Sequence, residues 1–501
     1  MIRRIFFLLV VSIFACSSAH ADERPNILFC IADDWGWPHA GAYGDPVVKT
    51  PTFDRIAAEG ALFQHAHVSS PSCTPCRNSI MTGQWHWRLG EGANLYGTLR
   101  QELEVYAHLL GDAGYHTGSW RKSFGPGTLK GKFAERHPAG KVYQGGFPEF
   151  LEAREDDSPY CFWLGASDPH RGYKLHSGEE SGIDLSKIEL FPFFPDSKEV
   201  RGDVADYYFE VQRFDSDVAK ALALLEARGE LDNTIIVMTG DHGMPFPRCK
   251  SNLYDCGSQV PLAMRWGAKV KAGQVLNGFV SLTDLAPTFL EAAGLTPPAA
   301  MTGQSLLPAV VEGEGDAALR PFILTGKERH VPSQEAPDMG GYPSRAIRNH
   351  DFLYIRNYVT DRWPNGTPNW QKAAIPGAWY ADTDNGPTKT YIIDNKDKDD
   401  AHRQAYEWCF AKRPADELYD LKKDPDQLKN VAGDEAYADQ LKKISDQLTA
   451  ELIAAGDPRH VDGLRFDFDA EPYGGGAPKH PDATPAPKKK NQKGKGKGGK
   501  K

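Results

Sequence analysis

A chain of 501 residues is too long for one compact core and implies two or three domains. Its 40% hydrophobic, 25% charged and 11% aromatic residues form an ordinary globular mix, which excludes wholesale disorder. The net charge is -9 although residues 488–501 hold eight lysines and no acid, so the body is more acidic than the total. Nucleic-acid backbones are bound by clustered Lys and Arg, so the body is excluded as a general nucleic-acid binder.

In chain order, the basic start Met1-Ile2-Arg3-Arg4, the apolar run Ile5 to Ala15 and the end Ser18-Ala19-His20-Ala21 predict a secretory signal peptide over residues 1–21. Export to the periplasm or the exterior is expected, with cleavage after Ala21. A lipid anchor on Cys16 is the weaker alternative, because Phe14 fits poorly two residues before such a cysteine. Asn26 to Ala32 is the continuous apolar run of a buried strand and ends in Asp33-Asp34. Thr52 to Glu59, closed by Gly60, and Leu103 to Ala113, closed by Gly114, are predicted helices. Tyr160 to Ala166, Thr234 to Thr239 and Leu262 to Trp266 are further buried strands. Val204 to Arg228 and Leu282 to Ala293 have helical periodicity. Strands separated by helices predict an α/β catalytic domain over residues 22–340 with a mostly parallel sheet, where ligands gather at the carboxyl ends of strands.

Beyond residue 340 the texture changes. Arg345 to Arg348 and Phe352 to Arg356 flank Asn349-His350-Asp351 as a hairpin, and Trp363 to Trp379 reads as an ordered Pro/Gly/Trp-rich loop. Glu417 to Leu421 then precedes a helix from about Ala436 to Ala455. These define a smaller antiparallel α+β domain over 341–473. From Gly474 to the end, Gly, Pro, Ala and Lys dominate, so residues 474–501 are expected to be a disordered tail. Its lysines are either a solvated extension or a tether to acidic polymers that weakens with salt.

Beyond Cys16 the cysteines are Cys30, Cys73, Cys76, Cys161, Cys249, Cys256 and Cys409, and an odd number in an exported chain leaves one thiol free, reactive or modified. Cys249 and Cys256 could bridge a short loop. Two acidic sites follow predicted strands, Asp33-Asp34 and Asp241-His242-Gly243. Either alone is explained by loop capping; together they could converge on one hard cation with oxygen-rich coordination. Between them, Ser70 to Gly83 places Cys73 where a loop enters a helix, whose free N–H groups and positive dipole end suit an oxyanion. Arg77, one turn on, adds a planar donor for the same anion. The plainer alternative is a buried structural cysteine in a proline turn.

Cys73-x-Pro75-x-Arg77 followed by Thr82-Gly83 resembles the signature of the type I, formylglycine-dependent sulfatases. Arg24 to Leu28 with Asp33-Asp34 is similar to that family's opening, and Ser167-Asp168-Pro169-His170-Arg171 to its substrate loop. Asp241 to Pro247, Lys250, Asn252-Leu253-Tyr254, Val280 to Thr288, Gly303 to Pro308, and Glu417 to Asp420 with Asp424-Pro425 resemble the heparan N-sulfatase (N-sulfoglucosamine sulfohydrolase) branch. Two positions depart from the pattern. Cys76 stands where Ser or Ala is common, and the family's Gly-Lys-x-His segment is Arg121-Lys122-Ser123-Phe124 here.

The resemblance implies an α/β, alkaline-phosphatase-like fold and a hydrolase that removes sulfate from a sulfated carbohydrate. It implies a Ca2+ ion held by Asp33, Asp34, Asp241 and His242 together with residue 73, and a Cys73 oxidised to formylglycine by a formylglycine-generating enzyme. Arg77, Lys122 and Lys250 would surround the sulfate charge, His170 would protonate the leaving atom, and Arg171 would read the sugar or its acidic group. N-sulfated glucosamine is one implied substrate. An O-sulfated polysaccharide, a phosphate or phosphonate ester on the same fold, and non-catalytic glycan binding by an unconverted Cys73 are the alternatives.

Overall fold

The computed structural model describes residues 24–483. The expected signal peptide and residues 484–501 of the tail lie outside the described residues. Among the described residues, twelve strands form two sheets. In the larger one, β1 (Asn26–Ala32), β2 (Ala61–His67), β3 (His116–Arg121), β4 (Lys141–Val142), β5 (Tyr160–Gly165), β6 (Thr234–Gly240), β7 (Leu262–Arg265) and β8 (Gln274–Ser281) lie in the order β4-β3-β5-β1-β6-β7-β2-β8. Strand β7 runs antiparallel to both neighbours, and every other pairing is parallel. This is the mostly parallel sheet expected.

Residues of β1 are buried on both sides and divide by parity, as a strand with two covered faces must. Leu28, Cys30 and Ala32 join a cluster with Tyr207, Val211, Phe214 and Val218 of the long helix Lys198–Arg228. Ile27, Phe29 and Ile31 join the opposite cluster, with Ile80 and Met81 of the helix Cys73–Thr82 and Phe289 of the helix Leu285–Ala292. The long helix starts six residues before the apolar periodicity, at a Ser197 cap whose side chain accepts from the Val200 amide.

Register decides where the strands end. Ala32 of β1 pairs with Gly240 of β6, Ile31 with Gly165 of β5, and Gly165 with Arg121 of β3. The loops beginning at Asp33, Asp241, Ala166 and Lys122 therefore leave one edge of the sheet together. Two glycines permit this crowding. A Cβ on Gly165 would sit 1.8 Å from the Lys122 carbonyl oxygen, and one on Gly240 would sit 2.0 Å from the Trp35 carbonyl oxygen.

The second sheet is antiparallel, in the order β12-β11-β10-β9, from β9 (Phe322–Lys327), β10 (Ser344–Asn349), β11 (Phe352–Asn357) and β12 (Asp416–Asp420). The hairpin is where the sequence placed it, and the Glu417 segment forms the strand beside it. Strand β9, however, falls before residue 340 and still pairs with β10, so the second sheet takes its edge from the segment assigned to the larger domain. Ile444, Leu448 and Leu452 of the helix Ala438–Ala454 cover this sheet. The start of the expected disordered tail needs correction. His480 donates its amide to the Gly377 carbonyl at 2.9 Å and stacks on Trp370 at 4.9 Å, so residues 474–483 pack as part of the body. The Cys249–Cys256 bridge is not formed; all seven described cysteines are free thiols and buried. No described helix is long and apolar enough to cross a membrane.

Gly165→Ala is expected to destabilise the protein by about 1–3 kcal/mol, because the added methyl has only backbone to displace. The denaturant midpoint measures this, and an unchanged midpoint would contradict the close approach described.

Candidate active site

Adjacent strand ends supply the acids, and backbone geometry aims them. Asp34 adopts φ 73°, a left-handed conformation costly for most side chains but tolerated by Asp. Its amide donates to Asp241 Oδ1 at 2.8 Å, tying the β1 and β6 loops together. Cys73 opens its helix, preceded by Ser72 in extended conformation. Its Sγ lies 3.6 Å from Asp33 Oδ1 and 3.3 Å from His242 Nε2.

Each carboxylate gives one oxygen to a basic group. Asp241 Oδ2 accepts from Arg77 Nε at 2.8 Å, Asp34 Oδ2 from Lys250 Nζ at 2.9 Å, and Asp33 Oδ2 from Lys122. Arg77 is fully buried and also donates to the Lys122 and Ala32 carbonyls. In this arrangement Arg77 braces the acids, whereas the sequence suggested a donor to the substrate anion. Burial alone would raise the Asp241 pKa, but the charges of Arg77 and Lys122, joined by His242 whenever its ring is protonated, hold it below the usual carboxylate range. Burial likewise opposes the charge on Lys250, yet Asp34 and Asp384 keep its ammonium ionised. Burial pushes the Cys73 thiol well above its ordinary pKa against the pull of Lys122, so as a thiol it is a weak nucleophile.

The remaining atoms suit a hard cation. Asp34 Oδ1 is buried without a hydrogen bond, although His242 Nε2 is 3.2 Å away. His242 Nδ1 donates to the Gly243 carbonyl at 3.0 Å, which leaves the Nε2 lone pair directed elsewhere. A carboxylate oxygen and an imidazole lone pair at that separation are reconciled by a shared cation. Ligand atoms of Asp33, Asp34, Cys73 and His242 lie within 4.8 Å of one another, and Asp241 Oδ1 is 3.6 Å from His242 Nε2. Carboxylate oxygens favour a hard ion such as Ca2+ or Mg2+. The soft Cys73 sulfur is the one mismatched donor, and replacing it with oxygen would complete the set.

Asp33 and Lys122 also line a cleft of about 610 Å³ walled by Tyr96, Phe124, His170, Tyr173 and Arg213. His170 Nδ1 is 3.1 Å from the Arg171 carbonyl, which leaves Nε2 for proton exchange. Arg171 lines the same cleft and is anchored at its guanidinium. Its Nη1 and Nη2 both engage Asp203, and its Nε donates to the Pro245 carbonyl at 3.2 Å. Asp203 in turn accepts from the Thr388 amide and hydroxyl at 3.0 and 2.7 Å. Arg171 therefore clamps the His170 loop to the long helix and the Thr388 segment while it lines the cleft.

Sequence patterns missed Asp384 and Arg213. Asp384 holds the far side of Lys250 at 2.9 Å and offers an oxygen within 4.8 Å of ligand atoms on Asp34 and His170. Its loop is fastened by Lys389, whose buried ammonium donates to the Trp379 and Thr383 carbonyls at 2.8 Å each. Only three-dimensional contact reveals this, because Asp384 lies 134 residues from Lys250. Arg213 on the long helix presents a half-exposed guanidinium to the cleft, 3.4 Å from Asp168 and 2.6 Å from Glu210. The helical periodicity locates the helix of Arg213 but not the loop it faces.

The α/β/α sandwich, with acid pairs at adjacent strand ends and a cysteine at a helix start, is an alkaline-phosphatase-like fold. The chain belongs to the sulfatase family, whose model matches residues 25–162 and 147–295. It is 29% identical over 501 residues to human N-sulphoglucosamine sulphohydrolase, spanning 87% of this chain and 91% of that protein. It is 26% identical to an ulvan-active sulfatase of Formosa agariphila, over 88% of this chain and 76% of the relative. Among solved structures, a protein bound to its substrate D-glucosamine-2-N,6-O-disulfate matches with TM-score 0.60 and 21% identity, covering 89% of this chain and all of that one. A phosphonate monoester hydrolase of Agrobacterium radiobacter matches with TM-score 0.61 and 18% identity over 88% of this chain and 97% of the other. Those two structures share the fold. The chain is thus a sulfatase, an enzyme of sulfate ester or sulfamate hydrolysis.

Arg171→Met is expected to lower the unfolding free energy by about 3–5 kcal/mol, since it leaves Asp203 buried and unpaired. Denaturant titration measures this; a variant of unchanged stability with only KM raised would make Arg171 a sugar contact rather than a clamp.

Proposed function

We propose that this chain is exported, matures by conversion of Cys73 to formylglycine, binds Ca2+, and removes sulfate from a carbohydrate, with N-sulfated glucosamine as the leading substrate class. The observation that carries the proposal is the meeting of Cys73 Sγ with Asp33 and His242, inside a ring of Arg77, Lys122 and Lys250. Support for the N-sulfate comes from the human N-sulphoglucosamine sulphohydrolase relative, which this chain covers over 91% of its length.

Asp33, Asp34, Asp241 and His242 would hold the ion, and Arg77 keeps Asp241 and Asp33 oriented toward it. Bound there, the ion supplies Lewis-acid charge for a sulfuryl oxygen. Converted, position 73 supplies the oxygen of a hydrated aldehyde as nucleophile. Lys122 is bound to Asp33 yet reaches the cleft, so its ammonium can meet the sulfate while keeping its carboxylate partner. Lys250 stays charged between Asp34 and Asp384 and adds positive potential from behind. His170 in the cleft wall gives a proton to the departing oxygen or nitrogen, and its loop is held still by the Arg171–Asp203 clamp.

A second reading, an O-sulfatase, is favoured by Phe124. This residue gives the cleft an apolar wall where the resembling family carries histidine. The ulvan-active relative is consistent with it.

Cys73→Ala is expected to cut turnover by more than about 10⁴-fold with an unchanged denaturation midpoint. Peptide mass spectrometry of the native protein should find the aldehyde at residue 73; unmodified thiol in every preparation would favour a glycan-binding protein instead. Removing the ion with EGTA should abolish turnover, and Ca2+ should restore it. Initial rates on N-sulfated and O-sulfated glucosamine, measured side by side, decide between the two readings. Phosphonate hydrolysis without desulfation would overturn both.

A further inference from the structure

A second cleft, of about 370 Å³, opens away from the catalytic one. Its walls are the turn that follows the Cys73 helix and the segment after the last helix of the chain. Three arginines line it, Arg88, Arg100 and Arg465, with Leu464 and Phe466 beside them and no carboxylate in the lining. In an acidic protein this is an unusual concentration of one sign. Arg465 is exposed and has no hydrogen bond or ion pair among the described residues. Arg88 has a single contact, to the Ala300 carbonyl at 3.2 Å, and burial pushes its pKa down with no carboxylate to offset the cost. Arg100 is held by Glu102, with Nε at 2.7 Å from the carboxylate. Arg88 and Arg465 have no carboxylate partner among the described residues, and a bound oxyanion would supply one, with acceptors matched to their donors.

The position of the cleft identifies the ligand further. The ten residues of the Cys73 helix rise about 15 Å, and Arg88 and Gly90 lie beyond its far end. The wall that carries Phe466 continues toward the catalytic cleft. Phe466 touches Phe468 edge-on at 4.9 Å, the Phe468 carbonyl accepts from Asn94 at 2.8 Å, and Tyr473 meets Tyr96 at 5.3 Å. Tyr96 lines the catalytic cleft. A ligand that reached both places would carry anions at intervals.

We propose that the Arg88–Arg100–Arg465 cleft binds a sulfate or carboxylate group of an anionic polysaccharide, at a distance from the sulfate being removed. Only the choice of polysaccharide as carrier rests on the proposed function. The cleft grips an oxyanion with its guanidiniums while exposed Leu464 and half-buried Phe466 lie along the sugar ring. It thereby favours polymeric over monosaccharide substrates.

The full-length protein carrying Cys73→Ala is labelled with phenylglyoxal in the presence of heparin, hyaluronan or neutral dextran, and the labels are located by peptide mass spectrometry. Heparin should reduce labelling of Arg465 by about fivefold at low salt, with the protection lost at high salt. Equal protection by hyaluronan would assign the contact to carboxylates, and heparin alone to sulfates; both support the cleft. No protection by either polymer, or equal protection by dextran, overturns it. In the active enzyme, Arg465→Glu should raise KM for the polymer about fivefold and leave kcat and KM for a sulfated monosaccharide unchanged. An unchanged polymer KM, or equal losses on both substrates, also overturns it. The labelling arm needs no turnover, so it stands even if the sulfatase proposal fails.

Discussion

The in-register pairing of β1 with β6 forces Asp33-Asp34 and Asp241-His242 side by side at the edge of the sheet. Two carboxylates 4 Å apart repel by about 4 kcal/mol at the effective dielectric near a protein surface, and here three are buried. Arg77, Lys122 and Lys250 oppose this by taking one oxygen from each acid. The pairing leaves Asp33 Oδ1 and Asp34 Oδ1 near His242 Nε2 and Cys73 Sγ, so the ion pairs that stabilise the acids also select which oxygens remain for a cation. Structure and chemistry share one set of contacts.

The polypeptide beyond the large sheet completes the site. Asp384 fixes the far side of Lys250, Thr388 joins Asp203 in fastening Arg171, and Lys389 gathers the carbonyls of the intervening loop. Lys327 of β9 reaches the Ser251 carbonyl and Asp382, which ties the second sheet to the segment that carries Lys250. His330 meets Ser72 at 2.8 Å, one residue before Cys73. The smaller sheet is therefore a support for the catalytic loops, and the two regions work as one enzyme.

The resemblance to sulfatases and the geometry meet at residue 73. A buried, protonated thiol among carboxylate oxygens is poorly suited to its place, both as a nucleophile and as a ligand for a hard ion. An oxygen there removes both difficulties. The Phe124 wall sets this cleft apart from the histidine-bearing pattern of the family. Tyr96, Tyr173 and Arg213 line the cleft around it.

Strands β1, β5 and β6 were legible because buried parallel strands are continuous apolar runs, and their acids followed from the strand ends. Strands β2, β3 and β8 were not, because His65, Thr117, Ser119 and Asn277 interrupt the pattern and their pairing energy comes from neighbours distant in sequence. By itself the sequence determined the α/β class, the helix start at Cys73, and the residue types of the acid and base groups, because these depend on local periodicity and on motif. The tertiary structure alone decided that Arg77 braces acids, that Asp203 anchors Arg171, that Asp384 backs Lys250 and that three arginines share a remote cleft. These outcomes are set by competition among charges brought together from distant segments, and such competition leaves no local pattern in the chain.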